Sequence, residues 1–247
     1  MSSIQTLPIL LNEIRLSAMA KHWEIMNQKA IKEEWEPVQY LAELCGIEAA
    51  QRHENKLNRL LKDSKLPSGK QSQNYKFDEV EGITQLQLNH KTCDLDWLHQ
   101  GHNILIFGAS GLGKTHLASA LGYSLIEKGI RVKFHTSTML VQELQRAKEE
   151  LKLSAALQKL DKYELLILDD IGYVKKDDNE AQVLFELIAH RYERGSLLIT
   201  SNQPFSDWTS IFGDNMMTVA AIDRLVHHSE IYPLKGESYR KKQALKK

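Results

Sequence analysis

The stretch that most constrains this chain runs from Asn103 to Leu121, NILIFGASGLGKTHLASAL. An apolar, β-branched run enters a glycine-rich turn, and a helix-forming run leaves it. Within it, Gly108-Ala109-Ser110-Gly111-Leu112-Gly113-Lys114-Thr115 fits GxxxxGK[ST] in full. Glycines at these positions let backbone N–H groups turn inward around phosphate oxygens without Cβ clashes. The helix that starts there adds the positive end of its dipole. Lys114 is expected to reach the β- and γ-phosphates of a nucleotide, and the Thr115 hydroxyl to ligate Mg²⁺. Such a loop needs a strand before it and a helix after it, which commits the chain to an α/β fold.

The rest of the C-terminal two-thirds agrees. Short apolar runs at 103–108, 130–136, 163–170, 195–202 and 229–234 alternate with helix-like segments. That is the pattern of βαβ units and a mostly parallel sheet. Leu165 to Leu168 run directly into Asp169 and Asp170. A buried strand ending in acids puts them at the sheet's C-terminal edge, beside the phosphate loop. Asp169 is expected to hold the metal, and Asp170 to orient or deprotonate an attacking water. The strand 197–200 ends in Ser201-Asn202, and Asn202 is expected to hold that water or sense the γ-phosphate. Arg224, in AAIDRLVHH, stands on a helix before the last strand, where it can project into a neighbouring subunit's nucleotide. Arg191 and Arg194, in HRYERGS, are rival candidates.

Residues 1–66 read as helical. Apolar residues recur at three- and four-residue steps, with Pro8 and Pro37 in first turns. Arg52, Lys56 and Arg59, with Lys62 beside them, share one face of the third helix. They read as a solvated face or as a phosphate-binding stripe. Residues 67–76, PSGKQSQNYK, read as a linker, and 77–247 as the nucleotide-binding domain.

Opposite charges balance, 32 Lys+Arg against 32 Asp+Glu, although the end from Lys235 to Lys247 is strongly basic. Cys45 and Cys93 lie far apart with no CxxC pair, as expected of reduced thiols in an intracellular protein. No apolar run approaches the roughly 18 residues of a membrane span, and the start lacks the basic region of a signal peptide. His116 reads as packing or surface, and His227 and His228 have no partner at metal spacing. The four tryptophans read as core or interface residues.

The phosphate loop, the Asp-Asp strand, the polar sensor and the late arginine together resemble the AAA+ ATPases. GASGLGKTHLASALG, LLILDDIGY, LITSNQPFSDW, AAIDRLVHH and LKGESYR narrow the resemblance to the IstB/DnaC group, and within it to the IstB-type ATPases of bacterial insertion sequences. The similarity covers nearly the whole chain. It implies a small helical N-terminal domain for oligomerisation or DNA contact, then an AAA+ core with a truncated lid, since 14 residues follow Pro233. It implies ATP and Mg²⁺ as cofactors, and Arg240 as the sensor-2 candidate. It further implies a cytoplasmic regulator of transposition that forms a homo-oligomer on duplex DNA with little sequence preference and assists a cognate IstA-type transposase. Most AAA+ proteins carry Glu where Asp170 stands, which implies slow turnover. A DnaC-type helicase loader shares the core motifs but prefers single strands. A small-molecule kinase needs no intersubunit arginine, and a non-hydrolysing scaffold would be indifferent to Asp170→Ala.

Overall fold

The computed structural model describes residues 6–172, 178–212 and 215–239. The chain divides into two compact units, Met1–Arg59 and Leu60–Lys247.

The first unit contains α1 (Leu7–Glu13), α2 (Ser17–Lys32) and α3 (Pro37–Ser64) as far as Arg59. Its interior is small, built on Ala18, Met19, Ala30 and Leu44. A buried acid compensates for that. Glu48 Oε2, on α3, accepts the backbone N–H groups of Ala18 (2.8 Å) and Met19 (3.2 Å) in the first turn of α2. A carboxylate thus satisfies donors that no intrahelical carbonyl reaches. Arg52 Nε donates to Glu48 Oε1 (2.8 Å), and its Nη2 donates to the Arg15 carbonyl (2.6 Å). Burial pushes the Glu48 carboxyl up. The Arg52 guanidinium and the two N–H donors outweigh burial and hold it below its ordinary value.

The second unit is a five-stranded, all-parallel sheet with helices on both faces. Its strands are β2 (Asn103–Phe107), β3 (Val132–Thr136), β4 (Leu165–Ile171), β5 (Ser196–Ser201) and β6 (Ser229–Pro233), in the order β3-β4-β5-β2-β6. All five expected strands are present. Residues alternate between two cores, as a period of two demands. Ile104, Ile106, Leu165, Ile167 and Leu198 face α6 (Lys114–Glu127). Leu105, Leu166, Leu168, Leu197 and Ile199 face the opposite layer, which holds α7 (Ser137–Glu149), α8 (Leu153–Leu160), α9 (Asp178–Arg191), α10 (Thr209–Phe212) and α11 (Asn215–Val226). Both faces are covered, so the strands are continuous apolar runs. Each fully buried Leu or Ile contributes about 1.5–3 kcal/mol. Trp97 and Trp208 are buried, as expected of core residues.

Two elements were not expected. A short antiparallel pair joins β1 (Val80–Glu81), which precedes α4 (Gln85–Cys93) and α5 (Asp96–His99), to β7 (Lys235–Gly236), which follows β6. Residues 67–76, linker-like in composition, lie along α6. Tyr123 donates to the Pro67 carbonyl (3.1 Å), His116 Nε2 meets the Gln71 carbonyl (3.1 Å), and Tyr75 is buried. Tyr75 and Phe77, packed edge to face at 4.7 Å, are the apolar anchors that small polar neighbours mask in the sequence. Among the described residues no helix is long and apolar enough to cross a membrane.

Candidate functional site

The phosphate loop leaves the end of β2, between β5 and β6, and closes into α6. Gly113, the residue before α6, has φ +82°, and a Cβ there would stand 3.0 Å from the Tyr75 ring. Gly111, at φ +89°, packs against Ser238, leaving no room for a side chain. The loop is therefore clasped from both sides, by the segment before β1 and by the segment after β7. Tyr239 N–H donates to the Gly111 carbonyl (3.0 Å). Lys114 is buried, and its ammonium donates to the carbonyls of Gly108 (2.8 Å) and Ala109 (3.1 Å).

Thr115 and Asp169 meet across the top of the sheet. The Thr115 hydroxyl donates to Asp169 Oδ2 (2.9 Å), and Thr200 Oγ1 donates to Asp169 Oδ1 (2.7 Å). Thr200 Oγ1 also accepts the Asp170 N–H (2.9 Å). Burial pushes the Asp169 carboxyl above its ordinary value, with the Asp170 charge adding to the rise. The bonds from Thr200 and Thr115 and the Lys70 ammonium oppose it. Asp170 has φ +59°, and the β4–β5 register breaks between Leu168 and Ile171. This left-handed turn carries the Asp170 side chain out of the sheet and into the open. An aspartate tolerates that conformation better than most residues.

One cavity of about 560 Å³ collects Ser110 through His116 of the loop, Asp170, Asn202, and the wall formed by Lys70, Tyr75, Glu79, Glu237 and Tyr239. Its volume suits a nucleotide-sized ligand. The paired oxygens of Thr115 and Asp169 form the hard, all-oxygen donor set that suits Mg²⁺. Of this wall, the sequence points only to the LKGESYR segment that carries Glu237 and Tyr239, whereas Lys70, Tyr75 and Glu79 give no signal.

The arginines separate cleanly. Arg191 is buried and donates to the carbonyls of Leu160, Tyr163, Glu164 and Ser196 at 3.0–3.2 Å. Burial pushes its pKa down to about 10. It is an internal brace, which corrects its candidacy as a projecting finger. Arg194 is exposed on the turn after α9. Arg224 is half-exposed; its Nη1 donates to the Ala220 carbonyl (2.9 Å), and its guanidinium lies 5.2 Å from the Phe185 ring centre. The neighbouring Leu225 carbonyl accepts Asn103 Nδ2 (3.1 Å), at the start of β2, whereas the phosphate loop leaves the strand's other end. Four strand steps make that separation about 13 Å.

Arg52, Lys56, Arg59 and Lys62 are all exposed on α3, but Arg52 is engaged by Glu48. Arg240 and the basic residues after it lie outside the described residues. His227 and His228, read as partnerless, converge with Glu193 once folded.

A family model described as IstB-like ATP binding protein matches residues 9–247. The chain belongs to that family. This IstB-like protein is 46% identical over 239 residues to an insertion-sequence ATP-binding protein of Sinorhizobium fredii, covering 97% of this chain and 80% of that one. It is 35% identical to the ATP-binding protein of insertion sequence IS21 from Pseudomonas aeruginosa, covering 97% and 90%. Among solved structures, the DnaC helicase loader matches with a TM-score of 0.53 at 23% identity, over 61% of this chain and 87% of that one. AMPPCP-bound DnaA from Aquifex aeolicus matches with a TM-score of 0.56 at 17% identity, over 74% and 56%. These likenesses show an AAA+ fold, and the family to which the chain belongs is one of ATP-binding proteins.

Proposed function

We propose that this IstB-like protein is an ATP-dependent regulator of transposition that forms a homo-oligomer on duplex DNA and assists a cognate transposase in the cytoplasm. The observation that carries the proposal is the division of the candidate ATP-handling residues between two ends of one sheet. Lys114, Thr115, Asp169, Asp170 and Asn202 gather at the loop end, and Arg224 stands at the other. An arginine so placed reaches a γ-phosphate only in a neighbouring subunit.

In this reading Lys114 exchanges its loop carbonyls for the β- and γ-phosphate oxygens. Thr115 and Asp169 would hold Mg²⁺, which neutralises charge on the β- and γ-oxygens. Asp170, carried into the open by its left-handed turn, takes the proton of the attacking water while Asn202 positions it. The neighbour's Arg224 stabilises the charge that develops as the bond to the γ-phosphate breaks. Subunit contacts through Arg224 exist only with ATP bound, so assembly persists until hydrolysis. Lys56, Arg59 and Lys62 meet phosphates of the duplex, with Arg52 contributing less because Glu48 holds it. No base-reading motif accompanies them, which fits binding through the backbone.

Mixing two inactive variants tests the trans arrangement. Lys114→Ala keeps the arginine and loses the site, and Arg224→Ala does the reverse. Neither alone should hydrolyse ATP appreciably on DNA, while their mixture should recover a clear fraction of wild-type activity. No recovery, with each variant still able to join wild-type assemblies, would reject Arg224 as the residue supplied in trans.

A further inference from the structure

We infer that Glu193, His227 and His228 form a binding site for a transition-metal ion such as Zn²⁺, at the end of the sheet away from the phosphate loop. Among the described residues they are the group of metal-ligating side chains whose donor atoms all lie within 4.8 Å of one another, and all three are exposed. They come from different turns. Glu193 follows α9, and the two histidines join α11 to β6.

The platform beneath them is rigid. Asn103, buried at the start of β2, ties the end of α11 and the α11–β6 turn to the start of β5. Its N–H donates to the His228 carbonyl (2.7 Å), its Nδ2 to the Leu225 carbonyl (3.1 Å), and its Oδ1 accepts the Leu197 N–H (2.9 Å). Glu193 is held at φ +56°, a left-handed conformation that a glutamate adopts at a cost. The imidazoles are also oriented. Tyr192 Oη meets His227 Nδ1 at 3.0 Å, which leaves Nε2 as the ring nitrogen for an ion. Metal-bound histidines are commonly oriented by such an outer hydrogen bond. The His228 ring stacks on His102, with centres 5.0 Å apart and planes at 9°, and lies 4.0 Å from the His227 ring centre.

Two imidazoles and a carboxylate suit Zn²⁺, Co²⁺ or Ni²⁺, whereas Mg²⁺ and Ca²⁺ favour oxygen alone. Metal–ligand bonds of about 2.1 Å require the three donors to draw together, which small rotations of exposed side chains accomplish. Three protein ligands leave a fourth position for water. An ion there would cross-link the α9–β5 and α11–β6 turns and, by binding the folded state, raise the unfolding midpoint.

Full-length protein without nucleotide is titrated with Co²⁺, followed by visible absorption, then challenged with Zn²⁺. Visible bands of tetrahedral strength that saturate at one equivalent and are lost to Zn²⁺ are expected. Tyr192→Phe should weaken binding about tenfold. Glu193→Gln and His227→Ala should each weaken it more, and His53→Ala, an exposed control on α3, should leave it unchanged. Zn²⁺ should raise the thermal midpoint of the wild type but not of His227→Ala. The inference is overturned by the absence of a one-equivalent band. It is equally overturned if Glu193→Gln binds like the wild type, which would leave only a pair of surface imidazoles.

Discussion

Asp169 and Thr200 show how far a sequence exposes a site residue by residue. An apolar run broken by two acids points to Asp169, because a buried strand that ends in acids either caps its turn or meets a polar site. Thr200 gives no such signal, since threonine in a strand is the ordinary choice of a β-branched residue. Yet its single hydroxyl donates to Asp169 and accepts from Asp170. Thr200→Val keeps the shape and removes both bonds. It should cost about 1–3 kcal/mol in urea unfolding and raise the Mg²⁺ concentration needed for half-maximal ATPase activity. Unchanged metal dependence would show that Thr200 does not position Asp169. Lys70 was hidden for another reason: its polar surroundings resemble a linker until Tyr75 pins the segment beside the loop. Its ammonium lines the cavity and acts on Asp169. Lys70→Ala should therefore weaken ATP binding more than ADP binding, measured by competition with a fluorescent nucleotide. Asp170→Ala should lower turnover about 10²- to 10⁴-fold with ATP binding intact, leaving the protein trapped on DNA.

At the scale of elements, the strands were legible and their braces were not. Five apolar runs at βαβ spacing can pack only as a parallel sheet between helices, so periodicity suffices to find them. The pair β1–β7, two residues to a strand, is too short to leave a pattern. Arg191 is the plainest misreading. Chemically it matches Arg194 and Arg224, and only folding reveals four carbonyls around it. Arg191→Met should destabilise the second unit by roughly 2–4 kcal/mol, because it strands buried acceptors. Arg224→Ala should change unfolding by about 1 kcal/mol or less while abolishing assembly, so thermal melts alongside light scattering distinguish the two arginines. Glu48 braces the first unit in the same way. Its folded pKa lies below its unfolded value, so its contribution is present at neutral pH and disappears as pH falls through the folded pKa. In Glu48→Gln, which keeps an acceptor but loses the charge, the first unit should be about 1–2 kcal/mol less stable at pH 7. The difference should vanish in acid, followed by far-ultraviolet circular dichroism.

On the scale of the whole molecule, the two ends of the sheet define the account. In the proposed function, a phosphate loop at one end and Arg224 toward the other make a subunit that relies on its neighbour to complete the site. The sequence already offers Arg224 as a residue that projects into a neighbour, but the distance between the two ends emerges only when β6 pairs with β2. The exposed basic residues of α3 add a dependence on salt. With Lys56, Arg59 and Lys62 each neutralising one phosphate, the logarithm of affinity should fall with a slope near −0.9 per contact against the logarithm of salt concentration. Lys56→Ala should reduce that slope by about one contact's worth. The central claim is tested most directly by the mass of the complexes formed on duplex and single-stranded DNA with ATP, with ADP and without nucleotide. The account predicts large assemblies on duplex of arbitrary sequence with ATP alone, absent in Arg224→Ala. A preference for single strands without self-assembly, or assemblies indifferent to the nucleotide, would contradict it.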